Sequence, residues 1–124
     1  DNELIHLDST EAQALNNYSY SLVERGEKLD IALAMSKKAI SLSPKSSAYL
    51  DTYGWIHFKI GNIDSALAYI RKSVEIEDTN AVVLEHFGDV LIKNAEIEEA
   101  IHYFRKALKI NPNNAVLRKK LSEL

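Results

Sequence analysis

The chain has 124 residues, 46% hydrophobic and 27% charged, with only four Gly and two Pro. That is the composition of a single globular domain, with too few turn residues for many short strands. A formal charge of -3 argues against the broad positive field of a nucleic-acid or anionic-membrane binder. The absence of cysteine excludes disulfides, thiolate metal sites and a Cys nucleophile, and apolar runs of about five residues are too short to span a bilayer.

In chain order, Leu4-Ile5-His6-Leu7-Asp8 reads like the close of a helix, comparable with Leu108-Lys109-Ile110-Asn111, so residues 1–11 are expected to end a preceding unit. Leu15, Tyr18 and Leu22 then recur at helical spacing up to the turn Gly26-Glu27-Lys28-Leu29-Asp30. A second helix burying Ala32, Ala39, Ile40 and Leu42 follows and stops at Ser43-Pro44, since Pro cannot continue a helix. The pattern returns as Leu50, Tyr53 and His57, the turn Gly61-Asn62, and a helix burying Ala66, Ile70, Val74 and Ile76 that closes near Glu77-Asp78. It returns again as Leu84, Phe87 and Leu91, the turn Asn94-Ala95, and a helix burying Ala100, Phe104, Leu108 and Ile110 up to Asn111-Pro112. Asp30, Asp64 and Glu98 open the second helices, where a carboxylate complements the helix dipole and can accept hydrogen bonds from free N–H groups. Residues 115–124 start one more helix, made polar by Arg118-Lys119-Lys120 as a solvating cap requires. The expectation is seven helices plus a stub, with no strands, both ends cut and the C-terminal side nearly complete.

Gly54 and Gly88, Ala66 and Ala100, Tyr69 and Tyr103, and Ile76 and Ile110 each lie 34 residues apart, and the same step runs back to Ala32 and Lys38. The first unit fits if its turn holds one extra residue, which places Ser19 where Gly54 and Gly88 stand. The units are then residues 12–46, 47–80 and 81–114, with 115–124 as a capping helix.

On these residues the chain resembles the tetratricopeptide repeat family. The third unit carries the pattern most fully, as Leu84, Phe87-Gly88, Ala100, Phe104, Ala107 and Pro112. The second departs from it at Ile70, Ser73 and Asp78, and the first at Ser36, where an aromatic is usual and a neighbour such as Met35 or Tyr20 must fill the space. The resemblance implies an all-α fold, a right-handed superhelix of antiparallel helix pairs (an α-solenoid) whose first helices line a concave groove. It further implies a non-catalytic scaffold that holds a peptide or helix of another protein in that groove.

The groove positions implied by the family include Asn17 and Tyr20, then Asp51, Thr52, Trp55 and Phe58, then His86 and Asp89. Tyr20 and Trp55 occupy the same place in adjacent units and are the expected anchors, aromatic residues being enriched at interface hot spots. Asn17, Asp51, Thr52, His86 and Asp89 are the expected polar readers of the partner's backbone. Trp55 and Phe58 have an alternative, packing against each other and a neighbouring helix. Family members that grip the tails of heat-shock chaperones use Lys, Asn, Asn, Lys and Arg where this chain has Asn16, Tyr20, Thr52, Val82 and His86, which argues against that partner.

The basic pairs Lys37-Lys38, Arg71-Lys72 and Arg105-Lys106 read as a solvated outer face balanced by Glu75, Glu77, Glu96 and Glu99. Of the histidines, His57 reads as a hydrogen-bonded core residue; His86 faces the groove, where it could give pH-dependent binding, but by default reads as a plain surface one. No metal spacing, phosphate loop or nucleophile motif stands out, so neither an enzyme nor a cofactor is expected. The rival to a groove binder is a spacer or self-association segment of a longer solenoid, stacking through apolar end faces at Leu4, Ile5 and Leu7 and at Leu117, Leu121 and Leu124. Short stretches such as Tyr49-Leu50-Asp51-Thr52-Tyr53-Gly54-Trp55 resemble those of bacterial repeat proteins, which implies a place in the bacterial cell envelope or periplasm, or in the cytoplasm.

Overall fold

A computed structural model describes the backbone of residues 2–124 and the side chains from Ser9 onward. The helices are α1 (Asn2–Arg25), α2 (Leu29–Leu42), α3 (Ser47–Ile60), α4 (Ile63–Ile76), α5 (Ala81–Lys93), α6 (Ile97–Ile110) and α7 (Ala115–Ser122), with no strand among the described residues. α1, α3 and α5 each pair with the even helix that follows, the pairs stack through α2 on α3 and α4 on α5, α7 packs on α6, and α1, α3 and α5 also meet one another in turn.

Short polar side chains start the first helices. Ser46 accepts from the Tyr49 N–H at 3.3 Å, Asn80 from the Val82 and Val83 N–H groups at 2.9 and 3.3 Å, and Asn114 from the Leu117 N–H at 3.0 Å. The turns after α1, α3 and α5 each hold a left-handed residue, Gly26 (φ 67°), Gly61 (φ 105°) and Ala95 (φ 62°). The next N–H of each turn, from Glu27, Asn62 and Glu96, donates to the carbonyls of Leu22, His57 and Leu91 at 3.0, 2.8 and 2.9 Å. The first turn is one residue longer, with Lys28 as a second left-handed residue (φ 48°).

Small residues let the helices close on each other. Ala32, Ala66 and Ala100 are fully buried, as are Ala39, Ser73 and Ala107. A Cβ added at Gly54 would stand 2.6 Å from Ile70 Cγ1 and 3.1 Å from Ile70 N, and one at Gly88 would run into the Phe104 ring. The equivalent places in the first repeat hold Ser19 and Ser36, both fully buried, so a smaller residue on α2 leaves room for a larger one on α1. Tyr20 packs against the core from the half-buried rim of that repeat. Ser73, where Ala is usual, is satisfied: its hydroxyl donates to the Ser47 carbonyl at 2.7 Å and lies 2.9 Å from the Ser47 hydroxyl.

Several sequence expectations are corrected. No break occurs near residue 11: α1 runs on from Asn2 to Arg25, a stretch with no Gly or Pro to end a helix. The side chains of Leu4, Ile5 and Leu7 lie outside the described residues. Ile76 and Ile110 are 47% and 45% exposed, because each is the last residue of its helix, where the chain turns out into an exposed loop. Leu117 is buried at 1% exposure and supplies the α7 anchor in place of Arg118, while Leu121 is half-buried; of the three end-face leucines only Leu124 is exposed. The acidic residues of the second helices sit in the first turn, but the cap positions before them, Lys28, Asn62 and Glu96, make no side-chain cap hydrogen bond.

Candidate partner groove

The first helices place the ninth residue of each repeat, Tyr20, Trp55 and Asp89, along one concave groove of about 800 Å3. Its aromatic wall comes from α3, where the Trp55 ring stacks on Phe58 with centroids 4.9 Å apart, and Lys59 Nζ stands 4.8 Å from the indole centroid. α5 adds His86, Ile92 and Lys93, and Lys120 of α7 with Leu124 beyond its end closes the groove. Trp55 is only 7% exposed because a second ring covers it: His86 stacks on it at 3.8 Å with planes 12° apart.

The polar groups of the groove are largely committed to one another. His86 Nδ1 donates to the buried Asp51 carboxylate at 3.0 and 3.2 Å. Lys120 Nζ donates to Glu85 at 2.8 Å and to Asp89 at 3.0 and 3.1 Å, and the Asn114 amide donates to Glu85 at 2.9 Å. Burial pushes the Asp89 carboxyl above the ordinary carboxylate range, more than the Lys120 contact brings it down. Burial alone would lower Lys120, but its hydrogen bonds to Glu85 and Asp89 together outweigh that and raise it. The Tyr20 hydroxyl is also raised, first by burial and then by the charge and hydrogen bond of Glu24.

On the outer face, Lys38 pairs with Glu11 at 2.9 Å, Arg71 with Glu99 at 2.9 Å and Lys106 with Asp78 at 2.5 Å. These are solvated ion pairs worth little each. Arg71 lies over the Phe87 ring, 5.0 Å from its centroid. In the first repeat the matching Tyr18 is 49% exposed, for no described helix precedes α1 to cover it.

The family model described as anaphase-promoting complex, cyclosome, subunit 3 matches residues 25–107, more than half of the chain. The chain belongs to this tetratricopeptide repeat family. Solved tetratricopeptide structures superpose closely. The first such domain of Spaghetti (RPAP3), solved with the HSP90 peptide SRMEEVD, is 18% identical, with a TM-score of 0.84 over 93% of this chain and 90% of that one. The Arabidopsis OM64 tetratricopeptide domain is 16% identical, with a TM-score of 0.84 over 94% of this chain and 95% of that one. The O-GlcNAc transferase of Thermobaculum terrenum is 21% identical, with a TM-score of 0.84, and 92% of this chain matches 22% of that one. Among curated proteins no sequence match is found.

Within this tetratricopeptide groove the expected site residues divide. Tyr20, Trp55, Phe58, His86 and Asp89 line it together, with Tyr20, Phe58 and Asp89 half-buried. Asn17 is exposed but does not line it. Asp51 and Thr52 are buried at 4% and 3% exposure between neighbouring helices, and the Thr52 hydroxyl donates to the Ala48 carbonyl at 3.1 Å. As polar readers Asp51 and Thr52 are therefore corrected to structural partners, since their hydrogen bonds are spent inside the fold. His86 is corrected from a surface residue to a buried one at 8% exposure, and the packing alternative holds for Trp55. Lys120 of α7 and Leu124 beyond its end join the groove without having been expected there. Their signal was Lys120 standing 34 residues after His86, in the same place of its helix.

Proposed function

We propose that the chain is a non-catalytic protein-interaction scaffold that holds a peptide or helix of a partner protein in its concave groove. The observation that carries this reading is the groove itself, about 800 Å3 with half-buried Tyr20, Phe58 and Ile92 offered to an apolar anchor and Lys59 and Lys93 on its rim. The relatives support it by kind: the Spaghetti domain of the same fold was solved with a peptide bound. The tail of a heat-shock chaperone is not the ligand proposed. Two of the positions that would grip it are Thr52 and His86, whose hydrogen bonds go to Ala48 and Asp51.

Selection of a random peptide library on the folded chain tests the proposal. A consensus that enriches on the wild type and is lost on Tyr20→Ala/Phe58→Ala, with unchanged helicity, supports the groove. A consensus that survives the double substitution places binding elsewhere. The spacer reading has its own observation, Val116 at 65% and Ile110 at 45% exposure near the C-terminal end, and sedimentation that shows a concentration-dependent mass would favour it.

A further inference from the structure

His86 is not used by the binding role proposed above, yet it is built into the groove wall with more care than packing requires. The residue is buried, its ring lies flat on the indole of Trp55 at 3.8 Å, and Nδ1 is spent on both oxygens of Asp51. Asp51 is itself almost fully buried and, as a carboxylate, only accepts, so the ring carries its proton on Nδ1 when neutral. Nε2 is then a lone-pair acceptor, on a residue that lines the groove.

We infer that the Asp51–His86 pair makes the groove proton-sensitive, one proton turning His86 from a hydrogen-bond acceptor into a donor at the wall that would meet the partner. The inference concerns regulation of the proposed groove and rests on that reading only for its biological use. Proton uptake puts N–H on both ring nitrogens, cancels the buried charge of Asp51 and sets an imidazolium against the Trp55 face, where a cation is attracted by the ring. Imidazole is the side chain whose charge ordinarily changes between pH 5 and 8.

The charged surroundings come from four helices. α3 supplies Asp51 and Lys59, α5 itself supplies Glu85, Asp89 and Lys93, α1 supplies Glu24 with the Tyr20 hydroxyl, and α7 supplies Lys120, with Glu123 just past its end. Among the described residues α6 gives the groove only Phe104, and α4 gives it none. Glu85 and Asp89 are already bonded to Lys120, so Asp51 is the carboxylate that holds the His86 ring.

Trp55 is the only tryptophan, so its emission reads this stack directly. The experiment is a titration of Trp55 fluorescence from pH 8 to pH 5 on the whole chain without any ligand, with far-UV circular dichroism recorded beside it. A stacked imidazolium quenches indole more strongly than neutral imidazole, so emission is expected to fall in one step while helicity stays constant. His86→Gln should abolish the step, and His57→Tyr should leave it in place. If His86→Gln does not fold, histidine-ring NMR of the wild type replaces it, with one ring titrating in step with the emission. Flat emission in the folded wild type, or a step that survives His86→Gln, overturns the inference. Because no partner is needed, a groove that titrates but binds nothing refutes the proposed function alone, and one that binds without titrating refutes this inference alone.

Discussion

Glu85 of α5 accepts a hydrogen bond from Lys120 of α7 at 2.8 Å, repeating one repeat later what Asp51 of α3 does with His86 of α5 at 3.0 Å. Both pairs span 35 residues, one more than the repeat, because the fifth place of one first helix meets the sixth place of the next. The first helices are thus joined by polar rungs on the groove side as well as by apolar packing. The rung before these is unmade. Asn16 stands opposite Thr52 in this scheme, but the Thr52 hydroxyl donates within its own helix to Ala48, and Asn16 Oδ1 is buried with no hydrogen-bond partner among the described residues.

Lys120 is the rung that can be removed most cleanly. Lys120→Met leaves Glu85 and Asp89 beside each other without a cation and is expected to lower stability by about 1–2 kcal/mol, a value held down by partial exposure of all three groups. Its pH dependence has a defined sign. Burial already raises Asp89, and loss of Lys120 raises it further, so above the ordinary carboxylate value of 3.8 the folded state binds a proton that the unfolded state lacks. The variant therefore regains stability relative to wild type as pH falls through the folded Asp89 value. Urea midpoints between pH 7 and pH 4 measure this, and a constant gap would contradict it.

Trp55→Ala is expected to destabilise the fold by about 3–5 kcal/mol, the range for deleting a large buried aromatic. The sequence left Trp55 between a groove anchor and a packed aromatic, and the ring is 7% exposed and stacked on His86 and Phe58. Thermal unfolding separates the two: a melting temperature within a degree or two of wild type would return Trp55 to the groove as a free anchor.

Why the repeats were legible and the groove only in part is seen in these same residues. Gly54, Gly88 and the alanines Ala32, Ala66 and Ala100 are fixed by close approach within a helix pair, so their spacing shows directly in the sequence. Ser46, Asn80 and Asn114 also recur at 34 residues and mark each first-helix start, a cap signal readable beside the turns. Whether Trp55 faces solvent or a neighbour depends instead on how closely α3 and α5 approach and on which ring α5 presents. Helical periodicity within α3 says nothing about either. His86 and Asp51 are likewise far apart in sequence, and each alone looks like a surface residue.

Ala95 takes the left-handed place that Gly26 and Gly61 hold in the other turns, with φ at 62°. A Cβ is strained there, and Ala95→Gly is expected to raise stability by about 0.5–1 kcal/mol, with Gly61→Ala lowering it by about 1 kcal/mol. Nothing lies within 4 Å of a Cβ at Gly61, so that loss would be backbone strain and not a clash. Chemical denaturation of the two variants checks both signs, and a loss of stability in Ala95→Gly would show that the strain is already relieved.

His57 predicts a second pH effect. Burial lowers its pKa from the usual 6.5, and the Asn62 amide donates to its Nδ1 at 3.2 Å, which requires that nitrogen unprotonated. Tyr53 meets it edge-on at 4.7 Å, so the ring is held in place as a neutral aromatic. Below about pH 6.5 the unfolded chain takes up the proton first, so this group's contribution to stability is constant above that value and falls as pH drops towards the lowered folded value. His57→Phe should lose less stability than wild type between pH 7.5 and pH 5.5. Equal losses, measured as shifts in urea midpoint, would place the acid sensitivity elsewhere.

Ser36 offers the sharpest test of packing in the first repeat. It occupies the place of Ile70 and Phe104, is fully buried, and its hydroxyl has no hydrogen-bond partner among the described residues. A buried unpaired hydroxyl carries its desolvation penalty without return, so Ser36→Ala is expected to stabilise the fold by about 1 kcal/mol. Ser36→Phe restores the bulk of the third repeat but not its geometry, because the residue facing that bulk there is Gly88, whereas the first repeat has Ser19. It should destabilise by about 1–3 kcal/mol unless Ser19→Gly is made with it. The double variant is the decisive measurement: if Ser19→Gly rescues Ser36→Phe in a double-mutant cycle, the two serines are one compensated pair, and if the two effects simply add, each is tolerated on its own.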